Sequence, residues 1–191
     1  MKGRITLIQP SDGLVYKWNR KRTKRMPLGL AYVATAALKD GHDVKIVDAS
    51  LDDLSVDDTI KQALENNPHI IGITCTTPLY HIVMEITHKI KKNNPEIVIV
   101  LGGPHPSSLP KPTLETSKVD FVVKGEGEES FVSIIDCVLN NKEPETIPSI
   151  VYNWNGKFGE TNTYIRYVKD KKISNFYKPV DLNKIAYPDR N

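Results

Sequence analysis

The sequence predicts a doubly wound α/β fold built on a parallel sheet, and three observations carry that expectation. Short β-branched runs recur at intervals that leave room for one helix each: Ile5–Ile8, Val44–Val47, Ile70–Thr74, Ile97–Leu101 and Phe121–Val123. Strands buried on both faces read as such near-continuous apolar runs. The segments between them place apolar residues at helical spacing, and strands alternating with helices imply βαβ units. The chain has 191 residues, 39% hydrophobic and 26% charged, which suits a single globular domain with a real core and an appended segment.

The elements follow in order. Ile5–Ile8 is the first strand, closed by Gln9-Pro10 and followed by a long basic loop. Pro27 opens the first helix, because proline suits a first helical turn. Leu30, Ala31, Val33, Ala34, Ala37 and Leu38 make that helix apolar around most of its girth, and Gly41 suits a left-handed cap. Val44–Val47 is the second strand. Ser55 with Asp58 three residues on resembles a capping start, and Ile60, Ala63 and Leu64 continue a second helix. After the third strand, Thr77 is the expected cap of a helix striped by Leu79, Ile82, Val83, Ile86 and Ile90. The fourth strand starts at Ile97. Beyond it, Pro104, Pro106, Pro110 and Pro112 leave room for little more than a turn or two around Thr113–Glu115, so an open loop is expected in place of a helix.

Phe121–Val123 leads through Gly125-Glu126-Gly127-Glu128 into a helix with Phe131, Ile134, Ile135, Val138 and Leu139 on one face. Then the pattern changes. Ser149–Tyr152, a turn at Trp154-Asn155-Gly156-Lys157 and Thr161–Val168 read as a short antiparallel hairpin. The expected organisation is a five-stranded, flavodoxin-like (Rossmann-like) sheet in order 2-1-3-4-5 over residues 1–145. A β-hairpin extension over 146–170 and a linker over 171–191 complete it.

Charge and cysteines narrow the class. The net charge of +3 is mild, and much of the excess sits in one loop, from Lys17 to Arg25. A nucleic-acid binder would usually be more basic overall. Tyr16 and Trp18 in that loop resemble a nucleic-acid patch, a plain surface loop or a cover for a ligand. Cys75 and Cys137 form neither a metal-spaced pair nor a disulfide scaffold, so a reducing cytoplasm is expected. The amino terminus enters a strand at once without a signal-peptide pattern, and no apolar run is long enough to cross a membrane.

In open α/β sheets, ligands sit beyond the carboxyl ends of the strands. Those ends gather Gln9 and Pro10, Thr74 to Thr77, Gly102 to Ser107, and Gly125 to Glu128. The first turn lacks the glycine-rich dinucleotide fingerprint. Glu126, Glu128 and Glu129 complement a helix dipole themselves and would repel phosphate. A phosphate-accepting receiver is disfavoured too, since Gln9 and Thr74 stand where it needs acidic residues; Lys124 alone means little. What remains is a broad mouth of glycines and small hydroxyls with carboxylates at its rim, suited to a large flat ligand edged with amide donors. His105 either faces that ligand or is a loop histidine. Glu126 and Glu128 accept from amides, cap the helix, or do both. Cys75 reads as a small buried hydrophobe, and His81 and His88 as ordinary helix residues.

Several motifs together carry a resemblance. Pro27-Leu28-Gly29-Leu30-Ala31-Tyr32, Gly41-His42-Asp43-Val44, Ile71-Gly72-Ile73-Thr74, Leu101-Gly102-Gly103-Pro104-His105-Pro106 and Val122-Val123-Lys124-Gly125-Glu126-Gly127-Glu128 stand in that order over roughly residues 1–150. This resembles the amino-terminal cobalamin (vitamin B12)-binding domain of cobalamin-dependent radical SAM proteins. The tail from Asp181 to Arg190 is similar to the linker before their barrel. The resemblance implies a corrinoid held by Gln9, Pro10, Thr74, Thr76, Thr77, Gly102, Gly103, His105, Gly125, Glu126, Gly127 and Glu128, with its nucleotide tail between sheet and helices. It implies an enzyme that methylates or rearranges carbon centres, with methyl transfer the expected reaction. The barrel's Cys-x3-Cys-x2-Cys motif is missing, so a 4Fe-4S cluster and S-adenosylmethionine are expected only on a barrel supplied in cis or trans. The chain alone is then expected to be non-catalytic, either a shortened form or a separately encoded domain. The Asp-x-His-x-x-Gly motif is missing as well, which implies a base-off cobalamin without a lower axial histidine. The alternatives are a cofactor-free interaction module, with an apolar patch on the Leu28–Leu38 helix, and a flavin- or nucleotide-binding domain. Neither membrane nor nucleic acid is an expected partner.

Overall fold

The computed structural model describes residues 1–13 and 26–161, with the backbone of 166–168 and 171–173. The basic loop over 14–25 and most of the expected linker lie outside the described residues.

Five strands run parallel: β1 (Arg4–Gln9), β2 (Asp43–Asp48), β3 (Ile70–Thr74), β4 (Val98–Gly102) and β5 (Phe121–Val123). Their spatial order is β2-β1-β3-β4-β5, as the sequence predicts. Two further strands, β6 (Ile150–Trp154) and β7 (Lys157–Glu160), extend the same sheet antiparallel beyond β5. The returning strand therefore starts at Lys157, not at Thr161. Asn155 and Gly156 both take positive φ, 51° and 78°, so a two-residue turn reverses the chain at once. A separate two-stranded ribbon pairs β8 (Arg166–Val168) with β9 (Lys171–Ile173).

Strand alternation divides the core into two layers. Ile5, Leu7, Ile70, Val100, Phe121 and Val123 face α1 (Leu28–Lys39) and α6 (Glu128–Leu139). Ile8, Ile71, Ile73, Ile99, Leu101 and Val122 face α2 (Val56–Leu64) and α3 (Tyr80–Asn93). The apolar stripe of α3 is buried throughout, from Ile82 to Ile90. Ser55 caps α2: its Oγ accepts from the Asp58 N–H at 3.1 Å and donates to Asp58 Oδ2 at 2.6 Å. Gly41, at φ 88°, ends α1.

Two expectations change. The proline-rich stretch is not an open loop but two short helices, α4 (Pro104–Ser108) and α5 (Pro110–Thr116). Each begins on a proline, and Pro106 and Pro112 still fall in a first turn, where a backbone N–H has no intrahelical acceptor to lose. Thr77 does not cap α3. It starts a 3-10 turn, Thr77–Leu79, that leads into α3, and its hydroxyl pairs with His105 instead. Among the described residues, no helix is long and apolar enough to cross a membrane.

Candidate functional site

The carboxyl ends of β1, β3, β4 and β5 and the starts of α1 and α6 enclose a cleft of about 230 Å³. Gly72 lines it on the sheet. A Cβ there would lie 2.6 Å from Leu7 Cδ2 and 3.1 Å from Phe131 Cε2, so the bare backbone is what lets those two side chains of the cleft wall pack down onto the strand. Val100 and Val123 continue the apolar wall from the sheet, and Val33 from α1.

The mouth is shaped by the turn after β4. Gly103 has φ 100°, and a Cβ on it would stand 2.9 Å from both Cys75 O and Thr74 Oγ1. Only glycine lets the two turns approach this closely. The Cys75 N–H donates to Gly102 O at 2.8 Å and the His105 N–H to Cys75 O at 3.1 Å, so hydrogen bonding between the two strand ends continues past the sheet. Gly102 itself faces open space, with nothing within 4 Å of a built Cβ.

The turn after β5 is anchored from several elements. The Gly125 N–H donates to Ser107 Oγ of α4 at 2.9 Å, and the Lys124 N–H donates to Ser149 O at 2.8 Å. Buried Lys124 Nζ donates to Glu160 Oε1 of β7 at 2.9 Å and to Thr161 O at 3.1 Å. Lys111 of α5 meets the other Glu160 oxygen at 2.8 Å. These two lysines, Lys111 first, hold the Glu160 carboxyl below its usual range. Glu128 opens α6, and its Oε2 is buried with no hydrogen-bond partner. Burial pushes its carboxyl up; its own N–H pulls the other way, Glu126 adds to the rise, and the Gly127 N–H opposes it.

Of the residues read from the sequence, Gln9, Thr74, Gly102 and Gly103 come together in the cleft with the whole Gly125–Glu128 turn. Pro10, Thr76, Thr77 and His105 do not line it. Pro10 is buried, and Thr76 and Thr77 are exposed. His105 is buried on α4, stacked on Tyr80 with ring centroids 4.2 Å apart and its Nδ1 3.2 Å from Thr77 Oγ1. Tyr80 in turn bonds Thr116 Oγ1 of α5 at 2.6 Å. This cluster fastens the two proline-led helices to α3. All five histidines of the chain are described, and none lines the cleft. The walls that sequence reading missed, Leu7, Val33, Val100, Val123 and Phe131, look like ordinary core residues; Gly72, a gap inside an apolar strand, was the available signal. Cys75 lies buried beneath the mouth, its thiol pushed by burial up to about 12. Among the described residues, no cluster of His, Cys, Asp or Glu is placed to hold a metal ion.

Fold and cleft together define an α/β domain with a cleft at the carboxyl edge of its sheet, the place where open sheets of this kind take their ligands. More narrowly, residues 23–135 match the family model of the B12 binding domain, and the chain belongs to that family. An uncharacterized methyltransferase of Pyrococcus horikoshii, PH0819, is 37% identical over 132 residues, covering 69% of this chain and 28% of that protein. The anaerobic magnesium-protoporphyrin IX monomethyl ester cyclase of Synechocystis is 27% identical over 165 residues, 84% of this chain and 33% of the cyclase. Among solved structures, the radical S-adenosylmethionine methyltransferase TsrM of Kitasatospora setae, with cobalamin and a [4Fe-4S] cluster bound, superposes with a TM-score of 0.73 at 18% identity. That match covers 91% of this chain and 31% of TsrM, and it is a likeness of fold. The matched region thus spans about a third or less of each of these proteins.

Proposed function

We propose that this chain binds cobalamin at the cleft and presents it to a radical SAM domain, in cis or in trans, for methyl transfer. The observation that carries the reading is the glycine-floored cleft, which runs from the strand ends down between the sheet and two helices. Of the two parts of cobalamin, we assign the nucleotide tail to this cleft of about 230 Å³. The ring would then lie outside, across Thr74, Gly102, Gly103 and the Gly125–Glu128 turn, whose carboxylates and carbonyls can accept from its carboxamides. Leu7, Gly72, Val100 and Phe131 would exclude water from the tail. Bound cobalamin would supply a cobalt able to carry a methyl group and pass it on.

A nucleotide tail drawn into the cleft would keep its base away from the cobalt, so the cofactor we propose is base-off, with no axial histidine from the cleft wall. In this reading residues 1–145 hold the cofactor, 146–170 form an extension and 171–191 lead toward the barrel, and two buried free thiols suit a reducing cytoplasm.

The test is direct. The chain is mixed with hydroxocobalamin and desalted, and its visible spectrum is recorded beside a circular-dichroism check of folding. Near-stoichiometric retention is expected, and after reduction to cob(II)alamin the electron paramagnetic resonance signal should lack splitting from an axial nitrogen. A folded chain that keeps no corrinoid at micromolar concentration overturns the binding; nitrogen splitting overturns the base-off assignment alone.

A further inference from the structure

We propose that Glu128 is a specificity-determining residue of the cleft, its carboxylate turning to accept a hydrogen bond from an N–H or O–H donor on the part of the ligand that enters. This rests on the cobalamin reading and goes beyond it, assigning one group of the protein and one chemical property of the guest.

The reasoning starts from an imbalance. The cleft is walled mainly by apolar side chains and glycines, and among the described residues no lysine, arginine or histidine lines it. The nearby cation, Lys124, is turned outward to Glu160 and Thr161. Gln9 already donates its amide to Pro10 O at 3.4 Å. Glu128 is half-buried as a residue, but its Oε2 is sealed from solvent and has no partner. A buried acceptor left unpaired is unfavourable, and more so when charged. Folded chains pair nearly all such atoms, so this carboxylate, on a residue that lines the cleft, gains by turning toward a guest that supplies the missing donor. A site built this way rejects a guest that lacks the donor far more strongly than an apolar pocket could.

Two parts of a corrinoid carry such donors: the sugar hydroxyls of the nucleotide tail and the carboxamides of the ring. Cobinamide keeps the carboxamides and lacks the nucleotide, so it separates them. Dissociation constants for hydroxocobalamin and for dicyanocobinamide are measured by equilibrium dialysis on the wild-type chain, Glu128→Ala and Glu128→Gln, with urea unfolding in parallel. Glu128→Ala is expected to weaken hydroxocobalamin about 10–100-fold, the usual range for losing a hydrogen bond to a charged group. Glu128→Gln, which keeps an acceptor oxygen and the shape, should recover part of that loss. If cobinamide binding by Glu128→Ala stays within twofold of wild type, the donor is on the nucleotide; an equal loss places it on the ring. Hydroxocobalamin binding by both variants within twofold of wild type overturns the proposal while leaving the cobalamin reading intact. A wild-type chain that binds neither corrinoid overturns both. Should Glu128→Ala unfold, Glu128→Gln decides: it must bind more weakly than wild type at an unchanged unfolding midpoint.

Discussion

Replacing Gly103 by alanine puts the construction of the mouth to a quantitative test. The residue sits at φ 100° and ψ −175°, a region open essentially to glycine alone, and holding another residue there costs about 1–3 kcal/mol. The added methyl would also stand 2.9 Å from Cys75 O and 3.0 Å from Cys75 N. Neither atom can retreat freely, because Cys75 N donates to Gly102 O and Cys75 O accepts from the His105 N–H. Overpacking of this kind adds about 1–3 kcal/mol. Together the two effects come to about 2–6 kcal/mol, a large part of the roughly 5–15 kcal/mol that holds a domain folded. In urea, with a slope of about 1–3 kcal/mol per molar, the middle of both ranges puts the fall in unfolding midpoint at about 2 M. Gly102→Ala is the matched control: one residue away, its methyl meets nothing within 4 Å and its φ is not positive, so stability should change by less than about 1 kcal/mol. Equal midpoints for the two variants would refute the close approach of the turns.

Three further outcomes are expected. Glu160→Gln should destabilise the fold by about 1 kcal/mol at pH 7, given its partial exposure. Because the lysines lower the folded pKa of Glu160, its contribution is complete above the unfolded value near 4.3 and fades as pH falls through the folded one. The gap between wild type and variant in urea unfolding should therefore close on going from pH 7 to about pH 3. Cys75 and Cys137, with thiols pushed by burial up to about 12 and about 11, should resist iodoacetamide at pH 8 until the chain is unfolded, as mass spectrometry would show. His105→Phe should keep the stack on Tyr80, lose the bond to Thr77 and retain corrinoid within threefold of wild type by spectral titration; a tenfold loss would instead place His105 against the ligand.

The parallel sheet was legible because its strands are short β-branched runs that alternate with helical segments of crossover length, and its order was taken from the flavodoxin-like pattern that such alternation most often builds. The proline-led helices were not. Prolines at 104, 106, 110 and 112 read as breakers until the break at Leu109 places all four in first turns. The return strand β7 carries a single large apolar residue, Phe158, and that one is exposed, so no alternation announced it. At the site, the glycine turns were legible and the depth between them was not, since Leu7 and Phe131 serve cleft and core with the same side chains. The anchoring by Glu160 left no local trace: its partners Lys111 and Lys124 are 49 and 36 residues away and meet it only once β6 and β7 have joined the sheet.

The antiparallel pair at the sheet's end also settles where the backbone travels. A chain leaving α6 sets off from the foot of the sheet, where Leu139 packs beside Gly3 at the start of β1. Strand β6 begins at the opposite edge, opposite Val123, and runs to the foot; β7 runs back again. Thr161 therefore emerges next to Lys124, at the rim of the cleft. One hairpin works as a switchback, returning the chain to the working edge at Thr161 without another crossover helix.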